Sequence, residues 1–264
     1  MNRIVAGSIL AAAFGATATL WGPAAAAQCS KQSPPHTVAL IELYTSEGCS
    51  SCPPADRWLS GIERSDARTD SVIALALHVD YWDQLGWKDR FADHRFTERQ
   101  RALAAMAQNR FVYTPGVFLN LREWRGWGSA ADFRQAVAKV NARPALADIR
   151  LELGAAAPRE LALSASFKLK PGAVVKQPQA FVALYQNGLA TEVRAGENRG
   201  ATLRHDYVVR NWNGPIDLRS GSADLRIALP IGSDSGSGKL GVAAFVQDSA
   251  SGELLQATAL NACS

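Results

Sequence analysis

The stretch Thr37–Ile62, TVALIELYTSEGCSSCPPADRWLSGI, holds the densest structural signal in the chain. Its opening, Thr37 to Tyr44, is β-prone and predicts a short strand that ends at a turn. Its close, Pro53 to Ile62, sets Ala55, Trp58, Leu59 and Ile62 at the spacing of one helix face. Between them lies Cys49-Ser50-Ser51-Cys52, so two sulfurs fall in the passage from a strand into a helix. A dithiol at this spacing reads as a redox pair, half of a zinc site or a structural bridge. Structural zinc needs further ligands, and no second CxxC or finger-spaced His pair is present. Free N–H groups at a helix start favour thiolate, lowering a cysteine pKa from ~8.5 to between ~3.5 and ~7.5. Pro53 and Pro54 leave two arrangements open: a helix starting at Pro53 with Cys49 in the preceding turn, or an earlier, kinked start.

Downstream, Ser71 to Val79 is nearly continuous in apolar residues, as in a strand buried on both faces. Thr97 with Gln100 forms a capping-box pattern, predicting a helix from there to about Asn109. Val117–Asn120 and Arg122–Gly126 predict paired strands, and Ser129 or Asp132 opens a helix to about Asn141. The alternation of strands and helices predicts a partly parallel sheet with a right-handed crossover and a closing hairpin. After Arg143-Pro144 the pattern becomes strand-like. Ile149, Leu151 and Leu153 alternate with polar residues, as do Leu161, Leu163, Ala165 and Phe167. Further runs at Phe181–Tyr185, Tyr207–Arg210, Leu225–Leu229, Val242–Val246 and Leu254–Leu260 complete an antiparallel, sandwich-like series. A Gly/Ser-rich loop spans Gly232–Gly238.

These segments carry a resemblance. ELYTSEGCSSCPPAD (Glu42–Asp56), LHVDYWDQLGWKDRF (Leu77–Phe91), FTERQRA (Phe96–Ala102) and VYTPGVFLN (Val112–Asn120) are similar to the secreted thioredoxin-like family catalogued as domain of unknown function 1223. GENRGATLRHDYVVR (Gly196–Arg210) is similar to it as well. The resemblance implies a thioredoxin fold plus a β-rich C-terminal region, and no settled substrate. The expected fold class is therefore an α/β thioredoxin-like domain followed by a mainly antiparallel β-sandwich-like domain. The expected division is a signal peptide over 1–27, the CxxC domain over 28–143 and the β-rich domain over 144–264. In a thioredoxin fold Thr114-Pro115, just before the hairpin, is a cis-proline loop that packs beside the dithiol and receives extended substrate.

The chain has 264 residues, 47% hydrophobic and 20% charged, which is ordinary for a globular protein. A net charge of +4, without a run of about five consecutive basic residues, argues against nucleic acid as a partner. Arg3, the apolar stretch Ile4–Leu20 and the small residues Ala24–Ala27 form a secretory pattern with cleavage after Ala27. Gln28 before Cys29 does not suit a lipobox. No later segment reaches the ~18 apolar residues of a membrane span. Export favours disulfides. Cys49 and Cys52 are close enough to pair locally, which leaves Cys29 and Cys263 to join the two ends.

The leading expectation is a periplasmic thiol–disulfide oxidoreductase or redox-partner protein that acts on protein or small-molecule thiols and disulfides. Cys49 would attack, Cys52 would resolve, and Pro115 with Thr114 would align the substrate strand. Asp80 or His78, at the end of a strand, would take a proton, and Trp82 or Trp87 would line a substrate groove. Such aromatics also cap cores, and Asp83 also caps turns. Arg99, Gln100 and Arg101 read as a solvated helix face, and His205, Asp206 and Arg210 as an inter-domain polar contact. No cofactor is expected. Two alternatives stand beside this: copper held by the thiolates with His78, and a binding protein in which Cys49–Cys52 is a permanent bridge. The oligomeric state is not readable.

Overall fold

A computed structural model describes residues 29–62, 71–157, 159–232 and 239–263. The expected signal peptide at 1–27, and all but the first residue of the Gly232–Gly238 loop, lie outside the described residues. The elements run β1 (Cys29–Gln32), β2 (Ala39–Thr45), α1 (Pro53–Ser60), β3 (Val72–His78), α2 (His94–Met106), β4 (Gly116–Leu119), β5 (Arg122–Glu123) and α3 (Ala130–Asn141). They continue as β6 (Ala147–Ala157), β7 (Glu160–Leu169), β8 (Pro178–Gln186), β9 (Leu189–Glu192), β10 (Thr202–His205), β11 (Val208–Asp217), β12 (Ser222–Pro230), β13 (Leu240–Asp248) and β14 (Glu253–Asn261).

The apolar runs on either side of the dithiol become β2 and β3, which pair in parallel from Ala39↔Val72 to Thr45↔His78 and are buried throughout. Helix α1 provides the crossover. It begins at Pro53 with Cys52 as its N-cap, so Cys49 sits in the turn before it. This resolves the two arrangements that the prolines left open, because a proline ring fits the first helical turn and needs no N–H partner there. Helix α2 starts three residues before the expected cap. Asp93 accepts from the Arg95 N–H, and the Thr97 hydroxyl is used instead by Asp80.

The expected fold class is corrected. Val208 of β11 pairs in parallel with Ala76 of β3. That ladder extends the first-half sheet into the second half, in the order β14-β13-β8-β11-β3-β2-β4-β5. Among the described residues the result is a mainly β structure with three α-helices and a continuous eight-stranded mixed sheet, in place of a thioredoxin-like α/β domain followed by a separate sandwich. A second sheet, β1-β6-β7-β12, covers one face of the β8–β13 region. Ile149, Leu151 and Phe167 meet Val182, Leu184, Val242 and Ala244 there. Phe181, Ala183 and Phe245 point the other way and merge with the core formed by β2, β3 and α2. Alternate residues of β8 and β13 thus serve two cores, which is why both strands read as unbroken apolar runs.

Arg99 and Gln100 also depart from expectation. Gln100 is buried, donating to the Tyr113 carbonyl at 2.8 Å. Arg99 lies within the joined core, its Nη2 2.6 Å from Glu42 Oε1. Its guanidinium stands 5.0–5.1 Å from the ring centres of Phe181, Trp212 and Phe245. Arg101 stays exposed as expected, while Arg99 is covered by strands lying more than eighty residues further along the chain. Helical spacing alone gives no sign of them. Cys29 and Cys263 form a disulfide that ties β1 to the chain end after β14.

Candidate functional site

The turn between β2 and α1 is built from consecutive short hydrogen bonds. Cys49 N–H donates to the Ser46 carbonyl and Cys52 N–H to the Cys49 carbonyl, each at 3.2 Å. Cys49 and Cys52 are joined as a disulfide. The Cys52 carbonyl receives the N–H groups of Ala55 and Asp56 at 2.9 and 3.1 Å, which places Cys52, rather than Cys49, at the helix start. Both cysteines are fully buried, at 0% exposure.

The Thr114-Pro115 loop lies alongside. Its peptide bond is cis, the Ser51 hydroxyl donates to the Thr114 carbonyl at 3.5 Å, and the Trp82 indole N–H donates to Thr114 Oγ1 at 2.8 Å. The structure therefore brings Cys49, Cys52, Thr114, Pro115 and Trp82 together. A cleft of about 400 Å³ adjoins the loop, lined by Tyr113, Pro115, Trp124 and Trp127 among others. Asp80 belongs to a different network. Its carboxylate accepts from Thr97 and pairs with His94 Nδ1 at 2.8 Å, fastening the first turn of α2. Burial opposes ionisation of Asp80, but these hydrogen bonds outweigh it and hold the group below the ordinary carboxylate range.

Beneath the disulfide is a buried ionisable cluster that the sequence reading touched only at His78 and His205. It comprises Glu47, Asp56, His78, Asp89 and His205, all nearly inaccessible. His78 Nδ1 is 2.6 Å from Asp89 Oδ2, which also accepts the Glu47 N–H at 2.8 Å. Glu47 Oε2 accepts the Trp87 indole N–H at 2.9 Å, and its Oε1 lies 3.4 Å from His205 Nε2. The two imidazole rings meet edge to face at 5.1 Å. Among the described residues, Glu47 Oε1, Asp56 Oδ1, His78 Nε2 and both His205 nitrogens have no hydrogen-bond partner. Buried polar atoms in that state are costly, and their concentration in one cluster marks it as a candidate site. The sequence signals were Glu47 within the motif itself and Asp56 one helical turn after Cys52.

The cluster sets opposing proton affinities. Burial alone would depress the His78 imidazolium, but the charge and hydrogen bond of Asp89, with Asp56 and Glu47 behind them, raise it above its ordinary 6.5. Burial raises Asp56 above 3.8, partly offset by His205 and His78. Asp89 is held low: burial opposes this, and the charge and hydrogen bond of His78 prevail. For Asp56 and His78 the native state binds protons more tightly than the unfolded chain, so their contribution to stability is lost as pH rises through the raised values. Asp89 has the opposite sign, and its contribution is lost as pH falls below about 4. Thermal melts are therefore expected to show declining stability as pH rises above about 6.5, the ordinary His value. Asp56 adds a separate decline that begins at about pH 4, the ordinary carboxylate value, and Asp56→Asn should remove it. A stability that climbs steadily from pH 5 to 9 would contradict this assignment.

His78 is committed to Asp89, and the cysteines are bonded to each other. Among the described residues no group of three or more His, Cys, Asp or Glu side chains is arranged to hold a metal ion. No described helix is long and apolar enough to cross a membrane.

Fold and site together define a β-rich protein in which a CxxC disulfide opens a helix beside a proline loop. The chain belongs to the family described as "Protein of unknown function (DUF1223)", which matches residues 40–247. Among solved structures it is similar to protein AGR_C_4864 from Agrobacterium tumefaciens, with 26% identity and a TM-score of 0.55, covering 85% of this chain and 94% of that one. It is also similar in fold to HBP35 of Porphyromonas gingivalis, with 16% identity and a TM-score of 0.65, covering 86% and 76% respectively. No curated protein matches the chain.

Proposed function

We propose that the protein is an exported thiol–disulfide oxidoreductase or redox partner, working through Cys49 and Cys52 on protein or small-molecule thiols and disulfides. The observation that carries this reading is the adjacency of the disulfide turn to the Thr114-Pro115 loop, linked by Ser51 and Trp82. An incoming thiolate attacks Cys49 Sγ and forms a mixed disulfide, while Cys52 departs as thiolate at the start of α1. Backbone N–H groups there stabilise negative charge and make Cys52 the better leaving group. The reverse sequence reduces a partner disulfide, with Cys49 attacking and Cys52 resolving. Export rests on the N-terminal pattern, and two disulfides accord with an oxidising compartment.

A second reading, a non-catalytic binding protein with a permanent Cys49–Cys52 bridge, is favoured by the complete burial of both sulfurs. The midpoint potential of the purified protein, measured by equilibration in thiol redox buffers, separates the two. The oxidoreductase should fall between about −120 and −270 mV, whereas a potential below about −300 mV marks a structural bridge. Cys52→Ser should in addition accumulate mixed disulfides with exported proteins. Absence of any trapped species, together with the lower potential, would reject the redox reading.

A further inference from the structure

The loop between β9 and β10 lies against the dithiol turn. Ser50 N–H and Ser50 Oγ both donate to Glu197 Oε2, at 3.0 and 2.6 Å. Asn198 Nδ2 donates to the carbonyls of Glu47 and Cys49, at 2.8 and 3.0 Å. Four hydrogen bonds from two adjacent loop residues thus fasten the segment onto the residues flanking Cys49. The loop is stiffened by its own bonds, Val193 N–H to the Ala201 carbonyl and Gly200 N–H to the Val193 carbonyl. Its turn sits close to the Trp82–Trp87 segment. Gly196, at φ +73°, leaves room for Trp87, whose Cβ would stand 3.1 Å from any added side-chain carbon.

Its attachment to the rest of the molecule is unusual. β9 and β10 form a two-stranded ribbon outside both large sheets, so movement of the loop breaks no ladder of the core. The ribbon's base is pinned by Gly188 N–H to Asp206 Oδ1 and by Tyr207 N–H to Asn187 Oδ1. Glu197 is exposed, and water competes directly for its hydrogen bonds. The inner side of the ribbon is anchored by buried Leu189, Val193 and Leu203. The ribbon is firmly rooted, while its tip is held by bonds that are cheap to exchange with solvent.

We propose that residues 193–201 form a gate over the disulfide, with Glu197 and Asn198 as its latch, so that access to Cys49 requires the tip to lift. This rests on the redox reading of the site and adds its control. Opening frees the Ser50 N–H and the Cys49 and Glu47 carbonyls, and it draws Gly196 away from Trp87. An incoming polypeptide carrying a thiol can then take up those backbone groups in place of the latch. Reduction by a dithiol takes two exchange steps. One reagent thiolate attacks Cys49 Sγ, the Cys49–Cys52 bond breaks, and Cys52 leaves as thiolate. The second reagent sulfur attacks the first, releases Cys49, and closes the reagent into a cyclic disulfide. The reagent loses two electrons and the protein ends with two thiols.

The test is the rate at which dithiothreitol reduces Cys49–Cys52 in the full chain, followed by alkylation and mass analysis. The Cys29–Cys263 bridge, remote from the gate, serves as internal reference. Glu197→Ala combined with Asn198→Ala should accelerate reduction of the dithiol tenfold or more relative to that reference, and Ser50→Ala should do so more weakly. Loop variants and wild type should share the same melting profile, which shows that the ribbon remains rooted. Rates within twofold of wild type in a folded double variant would overturn the gate. A midpoint potential typical of a structural bridge, with the accelerated rate still present, would remove the oxidoreductase reading and leave the gate standing.

Discussion

Glu42→Ala is expected to lower the unfolding free energy by about 3–5 kcal/mol, the range found when one partner of a buried ion pair is removed. Glu42 is at 0% exposure, and it receives the Arg99 guanidinium at 2.6 Å and the Tyr44 hydroxyl at 2.8 Å. Without it, Arg99 keeps its charge among three aromatic rings and is left chiefly with Gln247, 3.2 Å away. The charge sits where the first-half strands and the second-half strands share one core, so the loss is global rather than local. At roughly 2–4 °C per kcal/mol for a chain of this size, the melting temperature should fall by about 6–20 °C. The paired replacement Glu42→Leu with Arg99→Met should recover most of the loss, because matched apolar residues remove the uncompensated charge. A change below about 1 kcal/mol in Glu42→Ala would mean that the pair is already hydrated.

The other large effect is expected from Cys29→Ser with Cys263→Ser. The bridge closes a loop of sequence separation 234, and restriction of so long an unfolded chain stabilises by about 5–5.5 kcal/mol on loop-entropy grounds. Denaturant titration of the double variant should show that loss in midpoint with its site geometry intact. Reduction of Cys49–Cys52 should proceed at the wild-type rate, since that pair closes the turn into α1 whereas Cys29–Cys263 joins β1 to the residues after β14. A loss under about 1 kcal/mol would show that β1, paired with β6 from Cys29↔Leu153 onward, already holds the end in place.

Much of the site was readable from residue order. A β-prone run, CxxC, paired prolines and an amphipathic segment define a sulfur pair at a strand-to-helix turn, because each signal lies within a few residues of the next. The start of α1 at Pro53 follows from local stereochemistry once the turn before it closes. The neighbourhood of Thr114 and Pro115 was readable only by resemblance, since more than sixty residues separate that loop from Ser51. Glu197, Asn198 and His205 reach the site from still further along the chain. No periodicity marks a loop residue as a latch, or a histidine as the neighbour of another histidine.

What the sequence alone determined was most of the strands and helices, though not β1, β9 or β10, together with the pairing partner left to each cysteine and the place of the dithiol turn. All of these depend on short-range spacing and on side-chain chemistry. Tertiary structure decided that β11 docks on β3, that Arg99 is enclosed and that the disulfide is covered. Those outcomes depend on which apolar faces and strand edges meet in space, and an apolar run carries the same pattern whichever partner buries it.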